Sequence, residues 1–103
     1  MGMIYRLSVP AAVPGVEEVR VLEWHGEAGT VFAPGDLIVE LETHKAVVEA
    51  RAGQAGVLRE IKSAAGDWCG VGSALAMFSD TAEEALPDGP DSAPDLVIEF
   101  AII

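Results

Sequence analysis

Basic residues are scarce in this chain. Seventeen acids stand against six basic side chains and two histidines, a formal net charge of −11 at pH 7 over 103 residues. That balance disfavours polyanionic ligands, so neither nucleic acid nor an anionic membrane surface is expected as a partner. A single cysteine, Cys69, excludes an intramolecular disulfide framework, and two histidines without clustered ligand spacing give no expectation of a metal site. Cys69 adjoins Trp68 in an apolar stretch, where a buried inert thiol is expected rather than a nucleophile. Long hydrophobic runs are missing, and nothing approaches the ~20 apolar residues of a membrane span. The N-terminus has no charged segment leading into an apolar stretch and cleavage site, and position 6 is Arg6 where myristoylation needs Ser or Thr. A cytoplasmic setting is the expectation.

Helical periodicity is also lacking. The 11 glycines and six prolines interrupt any 3.6-residue pattern, while residues 19–24 and 37–41 are short runs rich in Val, Ile and Leu. These features predict one all-β domain of about eight short strands in two packed sheets. Sliding the sequence against itself by 37 positions lays Glu23 on Glu60, Ala28 on Ala65, Gly29 on Gly66 and Gly35 on Gly72, with Val21 on Leu58, Ile38 on Leu75 and Leu41 on Phe78. Two copies are too few for a solenoid, so the repeat predicts internal pseudo-twofold symmetry, with glycines at the corners of tight reversals. The expected interior is Val21, Trp24, Val31, Leu37, Val39, Leu41, Val47, Val57, Ile61, Trp68, Leu75 and Phe78, with both tryptophans as packing anchors.

Glu42-Thr43-His44-Lys45-Ala46 lies between two apolar runs, 37–41 and 46–48, at the junction of the two copies. Partial alternation around Glu40 and Glu49 makes the flanks half-buried strands and the polar residues a turn, placing Lys45 at a hairpin tip. Most surface lysines are only solvated charges. This one is one of only two in the chain, beside Lys62, and it occupies the seam of the repeat, where an arm has rigid support and open space. Glu40, Glu42 and Glu49 crowd the hairpin, either steering a basic pocket toward Lys45 or forming a solvated acidic face. His25, next to Trp24 near a turn, is expected to be a solvated surface residue.

With these residues in hand, the chain resembles the lipoyl domains of 2-oxo acid dehydrogenase complexes, within the biotinyl/lipoyl carrier superfamily, over roughly residues 4–79. Glu42-Thr43-His44-Lys45-Ala46 is similar to the family's Glu-Thr/Ser-Asp-Lys-Ala. Glu27-Ala28-Gly29 with Gly35-Asp36-Leu37, and Gly56-Val57-Leu58 with Gly66-Asp67 and Gly72, follow its strand-and-turn order, and Trp24 has a counterpart. His44 replaces the usual Asp with a titratable imidazole, Val19 stands where Gly is frequent and Gly53 where Pro is. The resemblance implies a flattened barrel-sandwich and lipoate in amide linkage to Lys45, with Glu42, Thr43, His44 and Ala46 as the recognition hairpin. It implies a swinging arm that shuttles acyl groups and reducing equivalents between active sites, no catalysis by the domain itself, a lipoate-attaching ligase or transferase, and dehydrogenase and acyltransferase components as partners. Biotin carriers flank their lysine with methionines. Here the neighbours are His44 and Ala46, so lipoate is favoured, with biotin the alternative cofactor. An unmodified β-sandwich serving as an assembly module is the third reading.

The domain is assigned to residues 1–79. Residues 80–95, acidic and carrying Pro87, Pro90 and Pro94, are expected to be a linker. Residues 96–103, LVIEFAII, are too apolar to float in water and predict an added strand, in cis or on a neighbouring copy, which would give a homo-oligomer.

Overall fold

Strand alternation builds the molecule. A computed structural model describes residues 2–86 and 93–103, which form nine strands and, among these residues, no helix. They are β1 (Ile4–Ser8), β2 (Glu18–Trp24), β3 (Val31–Phe32), β4 (Leu37–Glu42), β5 (Val47–Ala52), β6 (Gly56–Ile61), β7 (Trp68–Gly70), β8 (Ala74–Ser79) and β9 (Ile98–Ile102). In β5, Val48, Ala50 and Ala52 turn inward while Val47, Glu49 and Arg51 stay half-exposed. In β2, Val19 and Val21 are buried while Glu18 and Arg20 face water. A four-stranded sheet of order β1-β8-β6-β3 packs against a five-stranded one of order β7-β2-β4-β5-β9, with every strand pair antiparallel. The fold class is the one expected, a flattened barrel-sandwich.

The 37-residue repeat becomes a pseudo-twofold. Gly29 donates its N–H to the carbonyl of Leu58, and Gly66 donates to that of Val21, both at 2.7 Å. Val21 donates to the Asp67 carbonyl and Leu58 to the Thr30 carbonyl, both at 2.9 Å. Each bond is the other shifted by one repeat, so the two halves clasp one another reciprocally. The bulges match as well: β2 slips against β4 between Val21 and Glu23, and β6 slips against β8 between Leu58 and Glu60. Each half lends a short strand to the other sheet, β3 pairing with β6 and β7 with β2. Gly29 and Gly66 sit at φ of 99° and 95°, where an L side chain is strained.

Val21, Val39, Leu41, Val57, Leu75 and Phe78 are buried as expected, and Trp24 packs against the core at half burial. Leu37, Val47 and Ile61 are half-buried, and two expectations fail outright. Val31 is 69% exposed and Trp68 60% exposed. Both lie on very short edge strands, where the alternate residue takes the inward place: Phe32 in β3 and Cys69 in β7. Only Trp24 therefore anchors packing, its indole N–H donating to the Ser63 carbonyl at 2.8 Å. Burial of Cys69 agrees with an inert thiol.

The C-terminal segment adds its strand in cis. β9 pairs with β5, and just before it Arg6 of β1 donates its N–H to the Pro94 carbonyl (2.8 Å), while Leu96 donates to the Arg6 carbonyl (2.8 Å). Leu96 is buried, so this stretch closes the flank of the sandwich between β1 and β5. The described ends of segment 80–95 are bonded to the domain. Asp80 accepts from Met3 N–H (2.9 Å), Arg59 donates to the Glu84 carbonyl (2.6 Å), and Asp95 accepts from Ser8 (2.7 Å) and Arg6 (3.2 Å). Residues 87–92, including Pro87 and Pro90, lie outside the described residues.

Candidate functional site

Strands β4 and β5 run the hairpin outward in register, Leu41 opposite Val48 and Glu42 opposite Val47. Their buried side chains fix the base, so the turn between them has a defined direction. Thr43 organises that turn. Its N–H donates to the Ala46 carbonyl at 2.8 Å. Its hydroxyl donates to the same carbonyl at 3.0 Å and accepts the N–H groups of Lys45 at 3.1 Å and Ala46 at 2.9 Å. A hydroxyl replaces backbone partners in this way when the chain reverses over too few residues for a full ladder. Thr43 is buried in consequence, whereas His44 and Lys45 are exposed and Ala46 half-exposed.

The ε-ammonium of Lys45 reaches across to the β1–β2 connection and donates to the Pro14 carbonyl at 3.3 Å. Gly15 follows with φ of 80°, and a Cβ there would lie 3.6 Å from Lys45 Nζ. Pro14-Gly15 is legible in sequence as a turn. Its place beside Lys45 is not, because 31 residues separate the partners and only the sandwich brings them together. Between this connection and the hairpin base lies an apolar crevice walled by Pro10, Val13, Val16, Leu41, Thr43 and Val48.

The acids around the hairpin are each partnered. Glu42 faces Arg20 at 3.7 Å, Glu49 faces Arg51 at 3.3 Å, and Glu40 meets His25 Nε2 at 2.6 Å. His25 is exposed, as expected, but bonded. With Glu23 and Glu40 it forms a group whose ligand atoms lie within 4.8 Å of one another, assembled by β2 and β4 meeting in the sheet. Exposed pairs of this kind contribute little stability, yet Arg20 and Arg51 set positive charge against two of the three acids expected near Lys45. Among the described residues, all five of the sequence-predicted site, Glu42 to Ala46, fall within this one hairpin. Sequence reasoning missed the neighbouring Pro14-Gly15 turn.

Residues 6–78 match a protein-family model described as "Biotin-requiring enzyme", the Biotin_lipoyl family. Among curated proteins, the chain is 33% identical over 84 residues to a dihydrolipoyllysine-residue succinyltransferase component of a 2-oxoglutarate dehydrogenase complex from Staphylococcus saprophyticus, covering 82% of this chain and 20% of that protein. The Bacillus subtilis protein of the same description is 31% identical over 84 residues, again 82% and 20%. A dihydrolipoyllysine-residue acetyltransferase component of a pyruvate dehydrogenase complex from Zymomonas mobilis is 28% identical over 83 residues, 80% of this chain and 19% of that protein. The chain spans about a fifth of the length of the curated relatives it matches.

Proposed function

The chain belongs to the biotin/lipoyl attachment family, and on that footing we propose that it is a lipoyl carrier whose Lys45 bears lipoate in amide linkage. One observation carries the reading: an exposed lysine at the tip of a rigid hairpin on the pseudo-twofold sandwich, within Glu-Thr-His-Lys-Ala. The residues present fit an attached arm. Acylating the amine removes a charge but leaves one N–H, which can still donate to the Pro14 carbonyl as the ammonium does. Thr43 holds the backbone on both sides of the attachment point, so the arm swings from a base that does not.

When attached, lipoate supplies acyl transfer coupled to dithiol–disulfide redox chemistry. This chain's residues supply orientation, a tether that raises effective concentration, and a surface for recognition. Glu42, Thr43, His44 and Ala46 flank Lys45 along the chain and are the residues an attaching enzyme would read. The partners we propose are a lipoate-attaching ligase or transferase and the dehydrogenase and acyltransferase components of a 2-oxo acid dehydrogenase-type complex, the class of assembly to which the relatives belong. The domain itself is proposed to be a carrier and not an enzyme, working in the cytoplasm, with residues 1–79 as the carrier unit and 80–95 leading to strand 96–103. A second copy of the chain is a further proposed partner, through 96–103.

Biotin is the second reading, favoured by the family description alone. Intact-mass spectrometry separates the two. The 103-residue chain is incubated with lipoate, ATP and a lipoate ligase, or with biotin, ATP and a biotin ligase. One lipoyl adduct that disappears in Lys45→Arg is the expected result. A biotinyl adduct alone, or an adduct that survives Lys45→Arg, refutes the assignment.

A further inference from the structure

Strand β9 ends the five-stranded sheet, its outer edge unpaired among the described residues, and leaves Phe100, Ile102 and Ile103 about half or more exposed. Phe100 lies opposite Ala50 and Ile102 opposite Val48, both buried, so these side chains stand on the core-facing side of the sheet. They are exposed all the same, β9 being the outermost strand of a five-stranded sheet that faces one of four. Such an edge is ordinarily blunted by lysine, proline or a bulge, and β9 has none of these; its one charged residue is Glu99.

The direction of the free edge can be read from the bonds. Val97 accepts from Gly53 N–H and Ile103 donates to the Val47 carbonyl, both at 2.8 Å, so odd-numbered residues turn their peptide groups toward β5. Ile98, Phe100 and Ile102 therefore turn theirs outward. We propose that β9 pairs antiparallel with β9 of a second copy about a twofold at Phe100, joining the two larger sheets edge to edge. This deepens the reading of residues 96–103 given above.

The register follows from charge and bonding together. Centred on Phe100, the pairing sets Phe100 opposite its copy and Ile98 opposite Ile102, and each of these residues donates one backbone hydrogen bond and accepts another. Glu99 then faces Ala101. A twofold centred on Glu99 would oppose two carboxylates and would call on Leu96, whose N–H already donates to Arg6 within its own chain. A twofold centred on Ala101 would set Ile98 opposite a position beyond Ile102, where β9 ends, and so lose two of the outward-facing pairings. The chosen register makes the edge complementary to itself, with an apolar row on one face and no like charges in contact. Ile103 lies beside Val47, so antiparallel pairing sends the two Lys45 hairpins to opposite ends of the joined sheet, and each arm stays open.

Each copy carries a charge of −11, so association is opposed at low ionic strength and favoured as salt screens that repulsion. Sedimentation velocity of the 103-residue chain from about 10 μM to about 1 mM should show a concentration-dependent monomer–dimer equilibrium. The dimer fraction should rise with NaCl and be lost in Phe100→Lys, whose fold is checked by circular dichroism. Register is read by mild oxidation. Phe100→Cys should cross-link, the paired Cα atoms lying ~5.5 Å apart, while Val97→Cys, ~20 Å from its copy, should not. A chain that stays monomeric over that range, or a Val97→Cys that cross-links as fast as Phe100→Cys, overturns the proposal. The ligase assay on Lys45 is independent, so the carrier reading and this one fail separately.

Discussion

Thr43→Val is the sharpest probe of how the lysine is presented. Valine keeps the volume and β-branching of threonine and removes only the hydroxyl, which makes three hydrogen bonds across the turn, at 2.9, 3.0 and 3.1 Å. A protein hydrogen bond is worth ~1 kcal/mol net. The Lys45 N–H sits at an exposed tip and recovers a water partner, so the loss is less than three full bonds, roughly 1–3 kcal/mol. For a domain of this size each kcal/mol moves the melting temperature by about 4–8 °C, which places Thr43→Val ~4–24 °C below the parent. Thr43→Ser keeps the hydroxyl and should stay within ~1 kcal/mol. Thermal unfolding followed by circular dichroism reads the stability. The rate of ligase modification at Lys45, measured well below both melting points, reads the presentation and should fall in Thr43→Val but not in Thr43→Ser. A Thr43→Val protein that melts within about a degree of the parent and is modified at the parental rate would refute the reasoning.

Symmetry makes a second prediction. Gly29 and Gly66 have φ near 95–99° and nothing within 4 Å of an added Cβ, so alanine at either site incurs only the left-handed backbone strain. Denaturant unfolding should give Gly29→Ala and Gly66→Ala equal losses of ~1–2 kcal/mol, and clearly unequal losses would mean the two corners are not equivalent. A third concerns pH. The hydrogen bond from Ser8, aided by the Arg6 guanidinium and opposed by burial, holds the Asp95 carboxyl below its ordinary value of 3.8. A lowered native pKa contributes stability that is fully present above the ordinary value and lost as pH falls through the native one. The protection factors of the β9 amides, which correct exchange for its intrinsic pH dependence, should therefore fall as the solution is acidified below pH ~4, and Asp95→Asn should flatten that dependence.

The pattern of residues reached far into this protein. Short β-branched runs broken by glycine and proline specify an all-β chain, and the 37-residue echo specifies two equivalent halves, because the same turn chemistry at Gly29 and Gly66 makes the same corner twice. Lys45 at a tip was legible too, since a polar tetrad between apolar strands has nowhere else to go. The inward list failed at Val31 and Trp68 for one shared reason. Apolar character says that a side chain prefers burial, but on a two- or three-residue edge strand the inward places are too few, and Phe32 and Cys69 took them.

What lies next to the lysine was decided only by tertiary structure. Pro14 and Gly15 meet Lys45 because the sandwich returns the β1–β2 connection over the hairpin, and a contact across 31 residues leaves no local trace. The acids that look like an open field along the chain are each met by Arg20, Arg51 or His25 once strands fix their neighbours. The apolar segment 96–103 called for a strand partner. Local sequence set that requirement, whereas β5, the strand whose edge was left free by closure of the two halves, determined where it was met.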